Sequence, residues 1–175
     1  HLRQNDSLPM CIIIMADHAE DDNGGDGDIF VYRGGRAPLH VTHVIIDKSI
    51  DEIENYAFSE YVRLVKVETH NGIRRVGERA FYNCRSLPKI NLLSVVGIDA
   101  LAFHGCLTLT DVEFGDRLER IGGSAFAYCT SLEHLKLPSI VTIGSRAFHC
   151  CKAMIDIELS ERLETIGKGA FWGCK

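Results

Sequence analysis

Five of the seven cysteines recur at steps of 22 or 23 residues, and thiols at regular spacing could form disulfides or bind a metal. Zinc sites usually pair cysteines two residues apart, and the chain contains no such pair. A disulfide needs a specific approach geometry between its two residues. An odd number of equivalent thiols is therefore predicted to be a buried packing ladder, with disulfides and a metal site as the alternatives. The five are Cys84, Cys106, Cys129, Cys151 and Cys174.

The other two cysteines, Cys11 and Cys150, stand outside this column. Cys150 is adjacent to Cys151 and is expected to be exposed, and the sequence leaves open whether Cys11 or Cys150 is reactive. Free thiols in a chain with a good core favour a reducing compartment.

The eight histidines are not predicted to converge on a metal. His40 and His43 lie three residues apart on a predicted strand, so their side chains point to opposite faces. His104 and His149 occupy the same place in a repeat but two units apart, which separates them by about 10 Å. We therefore expect scattered, solvent-facing histidines.

The segment from Asp17 to Asp28 carries six acids and three glycines. It matches a calcium loop only in part, because Gly24 stands at the third position and Arg33 replaces the bidentate glutamate. Residues 1–28 are predicted to be a disordered acidic segment. Met15 is a plausible start of the protein, and the alternative is that residues 11–16 end a signal sequence.

Composition narrows the classes of function. The net charge is −5, with 46% hydrophobic and 25% charged residues, as in ordinary soluble domains. Nucleic-acid binding is disfavoured because no basic stripe is visible. No apolar run approaches the length of a membrane span. No catalytic triad, phosphate-binding loop or carboxylate pair is recognisable, so we expect no enzyme activity and no cofactor.

The elements that position these residues follow from a repeat. Six Ala-Phe pairs occur at successive spacings of 23, 22, 23, 22 and 23 residues, which is the signature of stacked structural units. The phenylalanines are predicted to form a buried ladder beside the cysteines, and they are Phe58, Phe81, Phe103, Phe126, Phe148 and Phe171.

Each unit carries the same pattern around its phenylalanine. Aliphatic residues stand eight and five positions before it, glycine usually follows the second of them, and cysteine comes three positions after the phenylalanine. Apolar residues nine and eleven positions after it have the period of a strand. Phenylalanine and cysteine have the spacing of one helical face. Glycine is expected in the intervening turn because it accepts positive φ.

These units predict an α/β repeat solenoid, with a parallel sheet of short strands on one face and short helical or 3-10 arcs on the other. Residues 29–46 are predicted to be N-terminal cap strands. Residues 47–175 are predicted to be the solenoid, truncated in the sixth Ala-Phe unit. The extra residue of the 23-residue units is placed in the surface turn after the strand.

The segment 132–151, LEHLKLPSIVTIGSRAFHCC, resembles the BspA-like class of leucine-rich repeats. The resemblance covers roughly residues 41–175, with departures such as Glu54, Tyr61 and Asp99. It implies a leucine-rich-repeat right-handed superhelix. It also implies, through microbial relatives, a surface or secreted adhesion protein as one alternative.

The outward positions of the predicted strands form a mixed-sign ribbon, which is the candidate surface for a protein partner. The leading hypothesis is a non-enzymatic protein–protein interaction scaffold, with an intracellular location favoured. The alternatives are a cell-surface or secreted adhesion protein and the regulatory segment of a larger enzyme or receptor. The ribbon comprises Lys66, Glu68, Lys89, Asn91, Asp111, Glu113, His134, Lys136, Asp156 and Glu158.

Overall fold

Alternation of inward apolar and outward polar residues produces short strands throughout residues 29–174, the part of the chain that the computed structural model describes. The expectations for residues 1–28 lie outside this range. In chain order the strands are β1 (Ile29–Tyr32), β2 (His43–Ile46), β3 (Glu52–Ile53), β4 (Lys66–Glu68), β5 (Arg75–Val76), β6 (Lys89–Leu92), β7 (Gly97–Ile98), β8 (Asp111–Phe114), β9 (Arg120–Ile121), β10 (His134–Leu137), β11 (Thr142–Ile143), β12 (Asp156–Leu159) and β13 (Thr165–Ile166).

The strands wind into a parallel β-solenoid of about six turns. On one side β1 pairs with β2 and β2 with β4, β6 pairs with β8, and β10 pairs with β12, all in parallel. On a second side β3, β5, β7, β9, β11 and β13 form one continuous parallel sheet, each strand two residues long. The sequence predicted a single sheet, and the second sheet arises because each aliphatic residue before the glycine pairs with its equivalent in the next coil. The right-handed sense of the winding stays a prediction.

The ladder on the first side is interrupted between β4 and β6 and between β8 and β10. At both interruptions equivalent residues are 23 apart, whereas they are 22 apart in the paired steps β6–β8 and β10–β12. The extra residue lengthens the turn that follows the strand, which allows the neighbouring strands to separate. The step from β2 to β4 is also 23 residues long and stays paired, so the longer turn permits the gap without forcing it.

The prediction of helical arcs was wrong, because the described residues contain turns where those arcs were expected and no helix. Residues two before and two after a phenylalanine adopt positive φ, as Arg79 at 52° and Asn83 at 55° do around Phe81. A left-handed residue every fourth position cannot continue a right-handed helix. The amides of Arg79, Phe81 and Asn83 instead donate to carbonyls of the next coil at 3.1, 2.7 and 2.8 Å. The arcs are thus a further set of hydrogen bonds between coils.

The sequence predicted that the glycines after the second aliphatic column adopt positive φ. The structure instead explains them by close packing between coils. A Cβ on Gly77 would lie 2.7 Å from the backbone nitrogen of Asn55, and one on Gly144 would lie 2.5 Å from that of Gly123. A Cβ at Gly77 or Gly144 would therefore push the neighbouring coils apart. At the equivalent position Asp99 instead forms an ion pair with Arg75.

The core is a column of phenylalanine rings running along the solenoid. Phe58, Phe81, Phe103, Phe126 and Phe148 are fully buried, and Phe171 is partly buried. Their rings lie nearly parallel, with centroids 5.2, 5.0, 5.0, 5.4 and 5.3 Å apart along the series. Offset stacking of this kind adds to the free energy gained by burying apolar area.

The column cysteines line this core as thiols that donate hydrogen bonds. Each Sγ lies 3.1–3.2 Å from the carbonyl oxygen of the phenylalanine in the preceding coil. All six cysteines within the described range are free, so the disulfide alternative does not apply to them. Burial raises the pKa of the Cys106 and Cys151 thiols to about 12. Cysteine suits this position because it is small, apolar in packing and still a weak donor.

The first coil departs from the repeat where its stack meets β1 and β2. The ring of Tyr32 packs on Phe58 with centroids 4.9 Å apart. Tyr61 replaces the column cysteine and donates its hydroxyl to the Ala37 carbonyl. Burial raises the pKa of Tyr32 to about 12. These two tyrosines extend the buried core into the first turn. The assignment of residues 29–46 as a cap stays a prediction.

Candidate functional site

Two surfaces of the solenoid carry side chains able to bind a ligand. The first is the strand ribbon, defined as the ten outward residues of β4, β6, β8, β10 and β12. All ten side chains are exposed, and the residues between them point into the core. The structure therefore places on one face every residue that the sequence assigned to it, while their role in binding stays a prediction. They are Lys66, Glu68, Lys89, Asn91, Asp111, Glu113, His134, Lys136, Asp156 and Glu158.

Charges on the strand ribbon pair with one another. Lys136 Nζ lies 2.9 Å from a Glu158 carboxylate oxygen, and His134 Nδ1 lies 3.2 Å from an Asp156 oxygen. The hydrogen bond and the charge of Glu158 raise the pKa of Lys136. Exposed pairs of this kind add little stability, so their main effect is to hold the ribbon side chains in place.

The gap between β4 and β6 opens a groove of about 460 Å³ on the strand ribbon. Its floor is apolar, since Val65, Val67 and Ile90 contribute to the lining. Lys66 and Lys89 stand at one part of the rim, and the side-chain amide of Asn91 donates to Glu113 at 2.8 Å. An apolar floor with a charged rim is the general arrangement of a protein-binding surface.

The second surface lies on the turn arcs, where aromatic rings form a row outside the phenylalanine stack. Tyr82 stacks on His104 at 5.1 Å, and His149 stacks on Trp172 at 4.8 Å. Tyr128 connects the two pairs by edge contacts, at 5.3 Å to His104 and 5.1 Å to His149. Four members of this row were visible in the sequence one position after phenylalanine, whereas Tyr128 stands two positions after.

A cleft of about 920 Å³, the arc cleft, opens in this row. It forms where Ala127 occupies the position that His104 and His149 fill in the neighbouring coils, so that coil has no ring at this position and its Tyr128 lines the cleft instead. The sequence did not predict the cleft, although this alanine was its signal. The lining comprises His104, Ser124, Ala127, Tyr128, Ser145, Arg146, His149, Lys168, Gly169 and Trp172.

The expectation that the histidines are solvent-facing is wrong for His149, which is only 8% exposed. Its Nε2 lies 3.4 Å from Cys150 Sγ, and its Nδ1 has no hydrogen-bond partner within residues 29–174. Burial, with the charge of Arg79 second, lowers the pKa of His104. Tyr128 makes edge contacts with both His104 and His149, and the separation expected between the two histidines stays a prediction.

No cluster of three or more metal-ligating side chains occurs in the described part of the chain. A helix long and apolar enough to cross a bilayer is likewise absent from residues 29–174. Both surfaces are suited to binding a ligand. The strand ribbon has paired charges beside an apolar groove, and the arc cleft has aromatic rings beside two cations.

Comparison with solved structures places the solenoid among bacterial repeat proteins. A leucine-rich repeat protein of T. pallidum shares 33% identity, with a TM-score of 0.73 over 76% of this chain and 65% of that one. A leucine-rich repeat protein of Bacteroides ovatus shares 24% identity and a TM-score of 0.50, over 78% of this chain and 47% of its own. A third, from Eubacterium ventriosum, shares 22% and a TM-score of 0.52, over 79% and 42%. The last two show the fold alone.

The chain spans 65% or less of the length of these three relatives. No curated protein matches its sequence significantly. The family model for the BspA type leucine rich repeat region matches in six copies, over residues 38–97 and 96–175. This match confirms the resemblance inferred from the repeat pattern. The chain belongs to the BspA type leucine-rich repeat family.

Proposed function

We propose that the chain is a non-enzymatic scaffold that binds a protein partner through the strand ribbon. The observation that supports this most is the ribbon itself: ten exposed polar side chains on five strands of one face, backed by buried residues in β4, β6, β8 and β10 and by the partly buried Ile157 in β12. A solenoid presents such an extended surface at low cost, since each coil is held by its neighbours.

The groove between β4 and β6 is the proposed centre of this surface. Binding energy at protein interfaces concentrates in a few desolvated positions, and the apolar floor formed by Val65, Val67 and Ile90 provides one. The charges around it would set specificity and association rate more than affinity. Residues 29–46 are proposed to cap the first coil and so to hold the ribbon in register.

The experiment compares the proteins that the immobilised chain retains from an extract of its source cells, quantified by mass spectrometry. The ribbon variant carries Lys89→Glu and Lys136→Glu, and the matched control carries Lys152→Glu and Arg162→Glu, which reverse two exposed charges outside the ribbon. The proposal expects at least one protein that wild type and control retain and the ribbon variant loses. Equal retention by all three forms, or equal loss by both variants, would contradict it.

A further inference from the structure

We propose that the arc cleft binds a carboxylate-bearing sugar, such as a terminal sialic or uronic acid of a glycan. This site lies on the turn arcs and shares no residue with the strand ribbon. Its volume of about 920 Å³ falls within the range of ligand sites in proteins.

The charged side chains that line the arc cleft favour an anionic ligand. Arg146 and Lys168 line the cleft and no carboxylate residue does, although the whole chain has a net charge of −5. The two cations stand on neighbouring coils, because the Arg146 amide donates to the Lys168 carbonyl at 3.1 Å. A guanidinium binds a carboxylate through two parallel hydrogen bonds, and an ammonium beside it adds a second positive charge.

The rings of the cleft provide a flat surface and a wall. His149 and Trp172 stack with 7° between their planes, whereas Tyr128 stands at 84° to His149. Trp172 is 69% exposed and Tyr128 43% exposed, so ring area in this corner is accessible to a ligand. Tyrosine and tryptophan combine an apolar body with a polar group, and the C–H face of a sugar ring packs on such a body.

Polar groups in the cleft favour a polyhydroxylated ligand. Three residues with hydroxyl groups, Ser124, Ser145 and Tyr128, belong to the lining. His149 also lines it, is more than nine-tenths buried, and has an Nδ1 without a hydrogen-bond partner in the described range. A buried polar atom is unfavourable until it is paired, and a ligand hydroxyl entering beside Trp172 would pair it. An acidic peptide would also match the two cations, and titration with an acidic peptide therefore distinguishes it from a sugar.

The chain contains a single tryptophan, so the fluorescence of Trp172 reports on the cleft alone. The whole chain is titrated with sialyllactose and with glucuronic acid, with lactose as the neutral control and tetraglutamate as the peptide control. We expect a saturable change in Trp172 emission with at least one of the two acids, at a Kd in roughly the millimolar range typical of single-sugar contacts. Which acid binds more tightly identifies the source of the carboxylate.

Two variants test the assignment of the cations. Arg146→Asn removes the guanidinium with a residue that tolerates the local φ of 56°, and Lys168→Gln removes the ammonium. Each is expected to weaken binding of the acidic sugar at least about tenfold, because each variant removes one cation together with its charge-assisted hydrogen bonds. The control, Lys152→Gln, changes an exposed charge outside the lining and should bind as wild type does.

Three results would overturn the proposal: no saturable change with either acid, equal binding of lactose, or tighter binding of tetraglutamate. A fourth would be loss of binding in the control to the same degree as in the two variants. Melting temperatures of all forms are measured alongside, so that a folding defect is recognised as such.

Discussion

Truncation of one ring in the phenylalanine stack should lower the free energy of unfolding of the solenoid, and the contacts of that ring give the size of the loss. The Phe126 ring is fully buried, lies 5.0 Å from the Phe103 ring and 5.4 Å from the Phe148 ring, and makes an edge contact with Phe114 at 5.9 Å. Phe126→Ala removes this ring from a close-packed interior, which costs about 3–5 kcal/mol in other cores. Loss of two stacked partners places the expected value in the upper half of that range.

The matched control is Phe171→Ala, at the same repeat position in the last coil. Phe171 is only partly buried and stacks on one ring, Phe148, at 5.3 Å. Because solenoid stability is approximately a sum over neighbouring coils, we expect about half the loss seen at Phe126.

Urea unfolding followed by circular dichroism measures both variants, and Trp172 fluorescence reports separately on the last coil. For a chain of this length, a loss of 3–5 kcal/mol lowers the melting temperature by roughly 6–20 °C. A loss below about 1 kcal/mol for Phe126→Ala, or equal losses for the two variants, would refute the account of the stack as a continuous core.

Three further predictions concern the backbone and the thiols. Gly144→Ala should destabilise by about 1–3 kcal/mol in urea unfolding, because its Cβ would meet the backbone of the preceding coil; an unchanged midpoint would show that the coils can separate. Ser124→Gly should stabilise by up to about 1 kcal/mol, because Ser124 has a φ of 54°, and a clear loss of stability would contradict the turn assigned to the arc. Burial raises the pKa of the Cys106 thiol to about 12, so the unfolded chain releases this proton at a lower pH than the folded chain does. The contribution of Cys106 to stability should therefore be complete below pH 9, the ordinary pKa of a thiol, and should be lost as the pH rises toward 12. A urea midpoint that stays constant from pH 8 to pH 11 would exclude this linkage.

The inward pattern of the fold was predictable because one side-chain type recurs at each buried position. The rings at Phe81 and Phe103 and the strand residues Val67 and Ile90 are buried where the spacing placed them. In a repeat protein, residues at the same repeat position share the same burial, so six copies together predict which positions face the core. The outward ribbon followed from the same alternation.

The arcs were not predictable because backbone conformation there depends on contacts between coils. Residues as different as Arg79, Leu101 and Tyr128 adopt positive φ, although their types do not favour it. The hydrogen bonds to the next coil impose that conformation, and only occasional glycines, such as Gly105, signal it in the sequence. The arc cleft was missed for a related reason, because it depends on one small residue, Ala127, within a row of large ones.

Photo-crosslinking shows whether the strand ribbon contacts a protein partner. A benzoylphenylalanine is placed at Asn91, in the ribbon, or at Tyr56, an exposed ring on the arcs, and each form is irradiated in an extract of the source cells. We expect a covalent adduct with one partner from Asn91 and none with that partner from Tyr56. An adduct formed from Tyr56 but not from Asn91 would contradict the assignment of the ribbon.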